Sequence, residues 1–586
     1  MKIKSGFFII LSSVFLLTVI LSGCGDSTVS AGNQQEKPLK DIAPAEEVME
    51  MLKDLCDIAG YGINSGIQTQ PKADQAASYI VKRLKAYGVQ AKLEPITANS
   101  PYPEKFELTV EIDGQNRRTL TCFPLQWTVG TPEGGIKGKL AYAGDGSASN
   151  FDLVDVKDKI VLIDEKMMRG YSPTGRANNA VIAAKDKGAI GVIRAGLQVD
   201  SPQFQKGDPT MPPDIFPIPV FSVGRSVGDY LRDLATSSVP PNVSMVLKAP
   251  QKTFKAHNVV FELPGNGSMD EVILAGTHYD TGMFTGAVDN NGSVALMIAW
   301  AKYFAHKPRE SRNRDMIFAW CFGHDFDNNT GHYQFAEAHK AQLEKAIVWD
   351  VDHAIGGTRY MYDEIKGKIV PTDKTNEFYI ISNNYTFSRL AAFTMDKYGF
   401  VCTQNRFNSI GSGPQWGIAP STRPWVNVAT IPIYYHSILD TPEKVTLDQA
   451  RRAYAAHIEI LENIDRTPEG FLEYDNISKT RPNRPPEVRI EILSEKVRVG
   501  DLVLVWNDSF FFNDDKTSYH HPALPEWAGS TWDWGDGTPV TIGGPMVNHV
   551  YENPGTYTIT FRFTDTEGAA TMATKDVRVL PLQSDK

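Results

Sequence analysis

Cysteine is scarce in this chain, five residues in 586, and there is no excess of positive charge, with 59 Lys and Arg against 69 Asp and Glu. Beyond Cys24 the cysteines are Cys56, Cys122, Cys321 and Cys402. They are spread too widely for a zinc knuckle, and in an oxidising compartment they allow up to two disulfides in any of three pairings. The formal charge of −10, with no Lys/Arg cluster, excludes a nucleic-acid partner, because phosphate binding needs a cationic face. After the N-terminus no apolar run reaches the ~20 residues of a bilayer-spanning helix. What remains is ordinary globular composition, 42% apolar and 22% charged. A chain of 586 residues has room for three or four domains at ~150 residues each.

The N-terminus is addressing rather than fold. Lys2 and Lys4 precede a largely apolar run from Phe7 to Leu21, the size of a secretory signal core. It ends Leu21-Ser22-Gly23-Cys24, which resembles a bacterial lipoprotein lipobox. That resemblance implies removal of residues 1–23, acylation of Cys24, and an exported body anchored to a membrane of the cell envelope. Residues 24–43 are polar and read as a tether.

Periodicity divides the rest. Residues 44–128 open with two helical patterns: Val48, Met51, Leu52, Leu55 and Ile58, then Ala76, Ile80, Val81 and Leu84, with Gly88 as the stop of the second. Residues 129–254 hold short apolar strands with glycine-bearing turns (KLAYAGDG, KIVLIDE, AIGVIRAG, IPVFSVG) and a helix, NNAVIAAKDKG. This order resembles the protease-associated domain inserted in several secreted peptidases, which implies a unit that shapes or covers a neighbouring site. Residues 255–475 alternate strands (NVVFELPG, EVILAGTHYD, DMIFAWCFG, AIVWDVDHAI, IPIYYHS) with helices (SVALMIAWAKYFAH, QFAEAHKAQLEK, TLDQARRAYAAHIEILENI). That alternation predicts an α/β domain with a mainly parallel sheet covered on both faces, its ligands beyond the C-terminal strand ends. After a linker at 476–485, residues 486–582 are all-β in pattern, and WDWGDGTP with HVYENPGTYTITF resembles the PKD domain, an immunoglobulin-like sandwich. The resemblance implies a spacer or a module that contacts a surface glycan or protein.

Acids and histidines fall at the expected strand ends: His278 in GTHYDTG, Asp289 in GAVDNNGS, Asp352 in DVDHAIGG and His436 in YYHSILDTPEKV. A lone histidine there is more often a core or surface residue. Together these are a donor set that suits zinc, which takes imidazole nitrogen and carboxylate oxygen. H-Y-D at 278–280, D-N-N-G at 289–292 and Y-H-S-x-x-D-T-P-E-K at 435–444 resemble metallopeptidase family twenty-eight, the co-catalytic zinc exopeptidases. The resemblance implies two zinc ions and a peptide substrate. His278 and Asp352 would hold one ion and His436 the other, with Asp289 between them. Asp280 would orient the His278 ring, and the Tyr435 hydroxyl would stabilise the tetrahedral intermediate. Asp350 is the alternative to Asp352, and His353 ranks lower because alternation along a strand turns it to the other face.

One stretch departs from the family. Where Gly-Glu-Glu is usual, this chain reads Gly323-His324-Asp325 within CFGHDFD. Asp325 can still ligate, one methylene shorter. His324 stands at the general-base position, and three readings are open. It acts as the base, kept neutral by two nearby cations; it becomes an extra zinc ligand that closes the open position; or the site has decayed on a retained fold. The last would make the protein a catalytically inactive receptor or surface-binding protein. The family's acidic Ser-Asp-His segment ahead of the last histidine is also not evident in NSIGSGPQWGIAPSTRPW.

Overall fold

The computed structural model describes residues 45–112, 116–165, 174–197, 199–203, 216–325, 329–363, 365–382, 384–404, 423–472, 490–492, 497–507, 531–542, 546–564 and 570–581. The signal segment, Cys24, the tether, the 476–485 linker and most of NSIGSGPQWGIAPSTRPW lie outside these residues.

Two helices open the chain as their periodicity predicts, α1 (Ala45–Ala59) and α2 (Lys72–Ala86), with Val48, Met51, Leu52 and Leu55 of α1 and Ala76, Ile80 and Leu84 of α2 buried. The sheet beneath them has eight strands: β1 (Lys92–Pro101), β2 (Gln251–Leu263), β3 (Val272–His278), β4 (Asp315–Cys321), β5 (Ala346–Val351), β6 (Phe378–Ser382), β7 (Cys402–Gln404) and β8 (Trp425–Thr430). Their spatial order is β1-β2-β4-β3-β5-β8-β6-β7. The centre, β4-β3-β5-β8, is parallel, whereas β1 with β2, β2 with β4, and β8 with β6 pair antiparallel. The sheet is therefore mixed, with a parallel core that carries the site.

Further helices are α3 (Gly292–His306), α4 (Thr330–Ala338), α5 (Tyr385–Lys397) and α6 (Leu447–Arg466). Successive strand residues point to opposite faces, and both faces are covered. Ile273, Ala275, Phe318, Trp320, Ile347 and Trp349 pack with α1, α3 and α6. Val272, Leu274, Ile317, Ala319 and Val348 pack on the other side with Phe335 of α4 and Leu343. Burial on both faces explains why these strands read as continuous apolar runs.

Two strand expectations fail, both at the site. IPIYYHS is a turn, not a strand: the strand is the preceding Trp425–Thr430, and the Tyr435 N–H closes a turn onto the Pro432 carbonyl (2.9 Å). The strand expected through AIVWDVDHAI stops at Val351.

A second eight-stranded sheet forms the inserted unit, in the order Asn116–Leu120, Lys105–Ile112, Asn242–Lys248, Ile136–Tyr142, Ile160–Glu165, Gly191–Gly196, Val220–Val223, Phe123–Pro124. Its strands begin at Lys105, earlier than the expected start at 129, because Leu108 and Val110 pair into it and are buried with Val243, Met245 and Leu247. The C-terminal strands close over Trp532, Trp534, Tyr551, Ile559, Phe561 and Phe563, the alternating residues of TYTITFRFTD among them. Cys56, Cys122, Cys321 and Cys402 are all free thiols. Among the described residues no helix is long and apolar enough to cross a membrane.

His457 of α6 is fully buried, its ring stacked 4.7 Å from Trp300 and 5.4 Å from Trp349. Burial holds its pKa down at about 3. Below the unfolded value of about 6.5 the unfolded chain binds a proton that the folded chain refuses, so stability falls as pH falls through that window. His457→Leu should flatten the loss of Tm between pH 6.5 and 4 relative to the native protein. Parallel Tm curves would show that His457 does not contribute to acid lability.

Candidate active site

The C-terminal ends of three adjacent parallel strands converge on one buried turn. β3 ends in His278, β4 leads into Phe322–Asp325, and β5 leads into Asp352 and His353. The turn before α3 brings Asp289, and the turn after β8 brings Tyr435 and His436. His278, Asp289, Asp325, Asp352, His353 and His436 are all buried, while the rings of His324 and Tyr435 are partly exposed.

Asp289 is the hub. Its Oδ1 lies 2.9 Å from His353 Nε2 and 3.7 Å from His278 Nε2, and its Oδ2 lies 3.0 Å from His436 Nε2. The outer contacts are His278 Nε2 to Asp352 Oδ1 at 3.6 Å and His436 Nε2 to Asp325 Oδ1 at 3.7 Å. Neither Asp289 oxygen, nor His278 Nε2, forms a hydrogen bond to the described residues. Donor atoms ~2.0–2.1 Å from a tetrahedral zinc are spaced by about 3.3 Å, and these separations of 2.9–3.7 Å lie around that spacing. Three groups have all their ligand atoms within 4.8 Å of one another: His278, His324 and Asp352; His278, Asp289 and His353; Asp289, Asp325 and His436. The donor set fits zinc.

The electrostatics call for cations. Burial opposes charge on His278, but Asp280, Asp325 and Asp352 outweigh it and hold the imidazole pKa up at about 10. Burial also works against the Asp289 carboxylate, yet His353 and His436 hold it well below the usual carboxylate range. Three carboxylates and four imidazoles thus share a desolvated pocket in which positive charge is favoured.

The ligand-bearing turns are tied together by groups that the sequence reading passed over. Asp440 accepts the backbone N–H of Val288 (2.9 Å) and of Asp289 (3.0 Å), fixing the hub from behind. Burial pushes the Asp440 carboxyl up to about 7 against the pull of those two N–H groups. Asn290 donates to Thr277 Oγ1 (2.9 Å) and the His278 carbonyl (3.1 Å), and accepts the His353 N–H (2.9 Å). Asn427 donates to Asp352 Oδ2 at 3.0 Å. Asp440 and Asn290 sit inside the DTPEK and DNNG motifs, so their sequence signal was present; Asn427 carries none.

Asp280 holds the His278 ring and also shapes the turn after β4. The His278 ring is held by the Asp280 backbone carbonyl, 3.0 Å from Nδ1, while the carboxylate oxygen stands off at 3.7 Å. That carboxylate instead accepts the N–H groups of Gly323 (2.9 Å), His324 (3.0 Å) and Asp325 (2.7 Å), and so shapes the departing turn. His324 Nδ1 lies 3.2 Å from Asp325 Oδ1, and its ring stacks 4.1 Å from that of His278. Asp350 stays out of all three groups, beside Asn427 at 3.4 Å. His353, ranked lower on strand alternation, faces the hub: the strand has already ended, and a positive φ of 58° turns the residue inward.

The inserted unit reaches the same turn. Gln203 Nε2 donates to the Tyr435 carbonyl (2.9 Å), and Gln203 bridges to Ser437 in antiparallel fashion. Phe123 packs with Met283 and Phe284, whose ring lies 5.1 Å from that of His436.

Residues 258–461 match the model of peptidase family M28, 131–231 that of the PA domain, and 523–579 that of the PKD domain. The chain thus carries a segment that matches peptidase family M28, a second that matches the PA domain and a third that matches the PKD domain, and the first match supports a peptidase function. BSAP, a zinc aminopeptidase from Bacillus subtilis, is 17% identical with a TM-score of 0.54, the match covering 74% of this chain and 97% of that one. A peptidase M28 precursor from Shewanella amazonensis SB2B is 18% identical with a TM-score of 0.56, covering 72% and 97%. At such identities the likeness establishes the fold. Human polycystin-1 is 42% identical over 99 residues, 16% of this chain but only 2% of polycystin-1.

If Asp440 positions the hub, Asp440→Asn, which turns one N–H acceptor into a donor, should weaken zinc binding by ~10–100-fold, the usual effect of losing a group that orients a ligand. Calorimetric zinc titration of the metal-free protein measures it; native affinity in the variant would refute the role.

Proposed function

We propose that the protein is an exported, lipid-anchored, zinc-dependent exopeptidase that removes the N-terminal residue of peptides. The observation that supports this most is Asp289, whose two oxygens face different imidazoles with an aspartate beyond each. His278 and Asp352 would hold one zinc ion, Asp325 and His436 the other, and Asp289 would bridge them. When bound, the two ions make water nucleophilic at neutral pH and polarise the scissile carbonyl.

This chain's own residues supply the proton handling. With Nδ1 turned to Asp325, His324 keeps Nε2 as the basic nitrogen, the orientation a general base needs. It takes the proton of the attacking water and passes it to the leaving amine. Burial, reinforced by Asp289, Asp325 and Asp352, holds Tyr435 well above the ordinary phenol range, so its hydroxyl stays protonated and donates to the developing oxyanion. The low polarity that raises Tyr435 also strengthens that hydrogen bond.

Export is in keeping with the PA and PKD domains. Cys24 would carry the lipid anchor in the cell envelope, and the PKD-like segment 486–582 would contact a surface glycan or protein, apart from the chemistry. Truncation after Ser478 should leave metal content and turnover intact, and loss of both would tie that segment to the site.

The test of the main reading is metal content with turnover. Purified without chelator, the protein should carry two zinc ions and hydrolyse at least some of a broad panel of amino-acid amides and peptides. His324→Ala should keep both ions and lower kcat by ~10²–10⁴. His324→Glu should keep the metals and shift the pH profile. A native protein that holds zinc but is inert, and gains activity only as His324→Glu, would instead be a binding protein on a decayed peptidase site.

A further inference from the structure

The roles assigned above leave out His353, although its Nε2 is nearer the hub carboxylate than any other imidazole nitrogen, 2.9 Å from Asp289 Oδ1. The ring is not there by default. A positive φ of 58° is a conformation that residues other than glycine adopt sparingly. It is fixed by the His353 N–H donating to Asn290 Oδ1 at 2.9 Å, the same Asn290 that grips Thr277 and His278.

The tautomer follows from the partners. His353 Nδ1 faces the Thr430 carbonyl, which can only accept, so Nδ1 carries the ring proton. His278 is held in the same way by the Asp280 carbonyl. With Nδ1 taken by a carbonyl in both rings, Nε2 is the nitrogen left to face Asp289 Oδ1, at 3.7 Å from His278 and 2.9 Å from His353. His278, Asp289 and His353 keep their ligand atoms within 4.8 Å of one another, within reach of one metal ion.

We infer that His353 Nε2 is a protein ligand of the zinc ion assigned above to His278, beside the Asp289 carboxylate. The inference rests on the two-zinc reading given above. It makes the two ions unequal. The first would have two imidazoles beside the shared carboxylate, whereas among the described residues the second has one, His436, with Asp325. Each ring nitrogen opposite the metal is satisfied by a carbonyl, the usual arrangement for a ligating histidine.

The experiment is stepwise metal binding by the metal-free full chain, followed by cobalt absorption and by X-ray absorption at the zinc edge. With one equivalent of zinc, scattering should count two imidazoles, His278 and His353, and the first equivalent should bind more tightly than the second. His353→Gln retains an amide donor for Asp289 but no imidazole. It should weaken the first equivalent by at least 100-fold and change its cobalt spectrum, while the second equivalent is affected less. One imidazole at the first equivalent, or a His353→Gln variant with native first-site affinity and spectrum, would overturn the assignment and leave His353 as a partner of the Asp289 carboxylate only. Should the variant fail to fold, the imidazole count on the native chain still decides. A native chain that takes up neither zinc nor cobalt would overturn the two-zinc reading itself, a distinguishable outcome.

Discussion

A carboxylate with negligible exposure is costly to bury unless positive charge faces it, and Asp289 is buried in that way between His353 and His436. Its backbone is held by Asp440, its two oxygens are directed at separate histidines, and every other site residue is placed by reference to it. The fold serves this constraint. Three adjacent parallel strands end together, so their loops leave from one rim, and the turn into α3 carries Asp289 across that rim. Asn290, next in sequence, ties the β3 end to the β5 end. Two consecutive residues thus supply the shared ligand and the strap that holds its neighbours in register.

The sheet and its coverage were legible because burial on both faces writes itself as unbroken apolar strands, and because helices such as α1 and α6 keep a clear apolar stripe. The acids and histidines that the fold gathers at the site stood out in the sequence through their motifs. What escaped lies just past the strand ends, where alternation no longer applies. His353 was discounted by a rule valid up to Val351 and void one turn later, and IPIYYHS was read as a strand although Pro432 starts a turn there. That Asp280 holds the His278 ring through its backbone carbonyl could not be read from the sequence, since backbone and side chain of one residue compete for that contact. That Lys105–Ile112 joins the sheet of the inserted unit was not legible, because it alternates like any edge-side strand and declares its sheet only through its partners.

The inserted unit does more than stand beside the site. Through Gln203 it holds the carbonyl of Tyr435, the residue before His436, and through Phe123 it supports the ring that lies against His436. A ligand turn with a positive φ, 54° at His436, needs such support, because nothing in its own backbone favours that conformation.

The way the chain leaves and re-enters the peptidase sheet has its own consequence. β1 and β2 pair antiparallel down to Pro101 opposite Gln251, and the inserted sheet begins at once with Lys105 opposite Lys248. The excursion therefore departs and returns through one two-stranded stem, whose mouth is already closed by ladder hydrogen bonds. Such a stem makes the host sheet nearly indifferent to the length of what is spliced into it, since closure entropy grows only slowly with loop size. A short hairpin there, or a whole domain in its place, would leave the host sheet as it is, so that cover over the rim can be changed by insertion without redesign of the core.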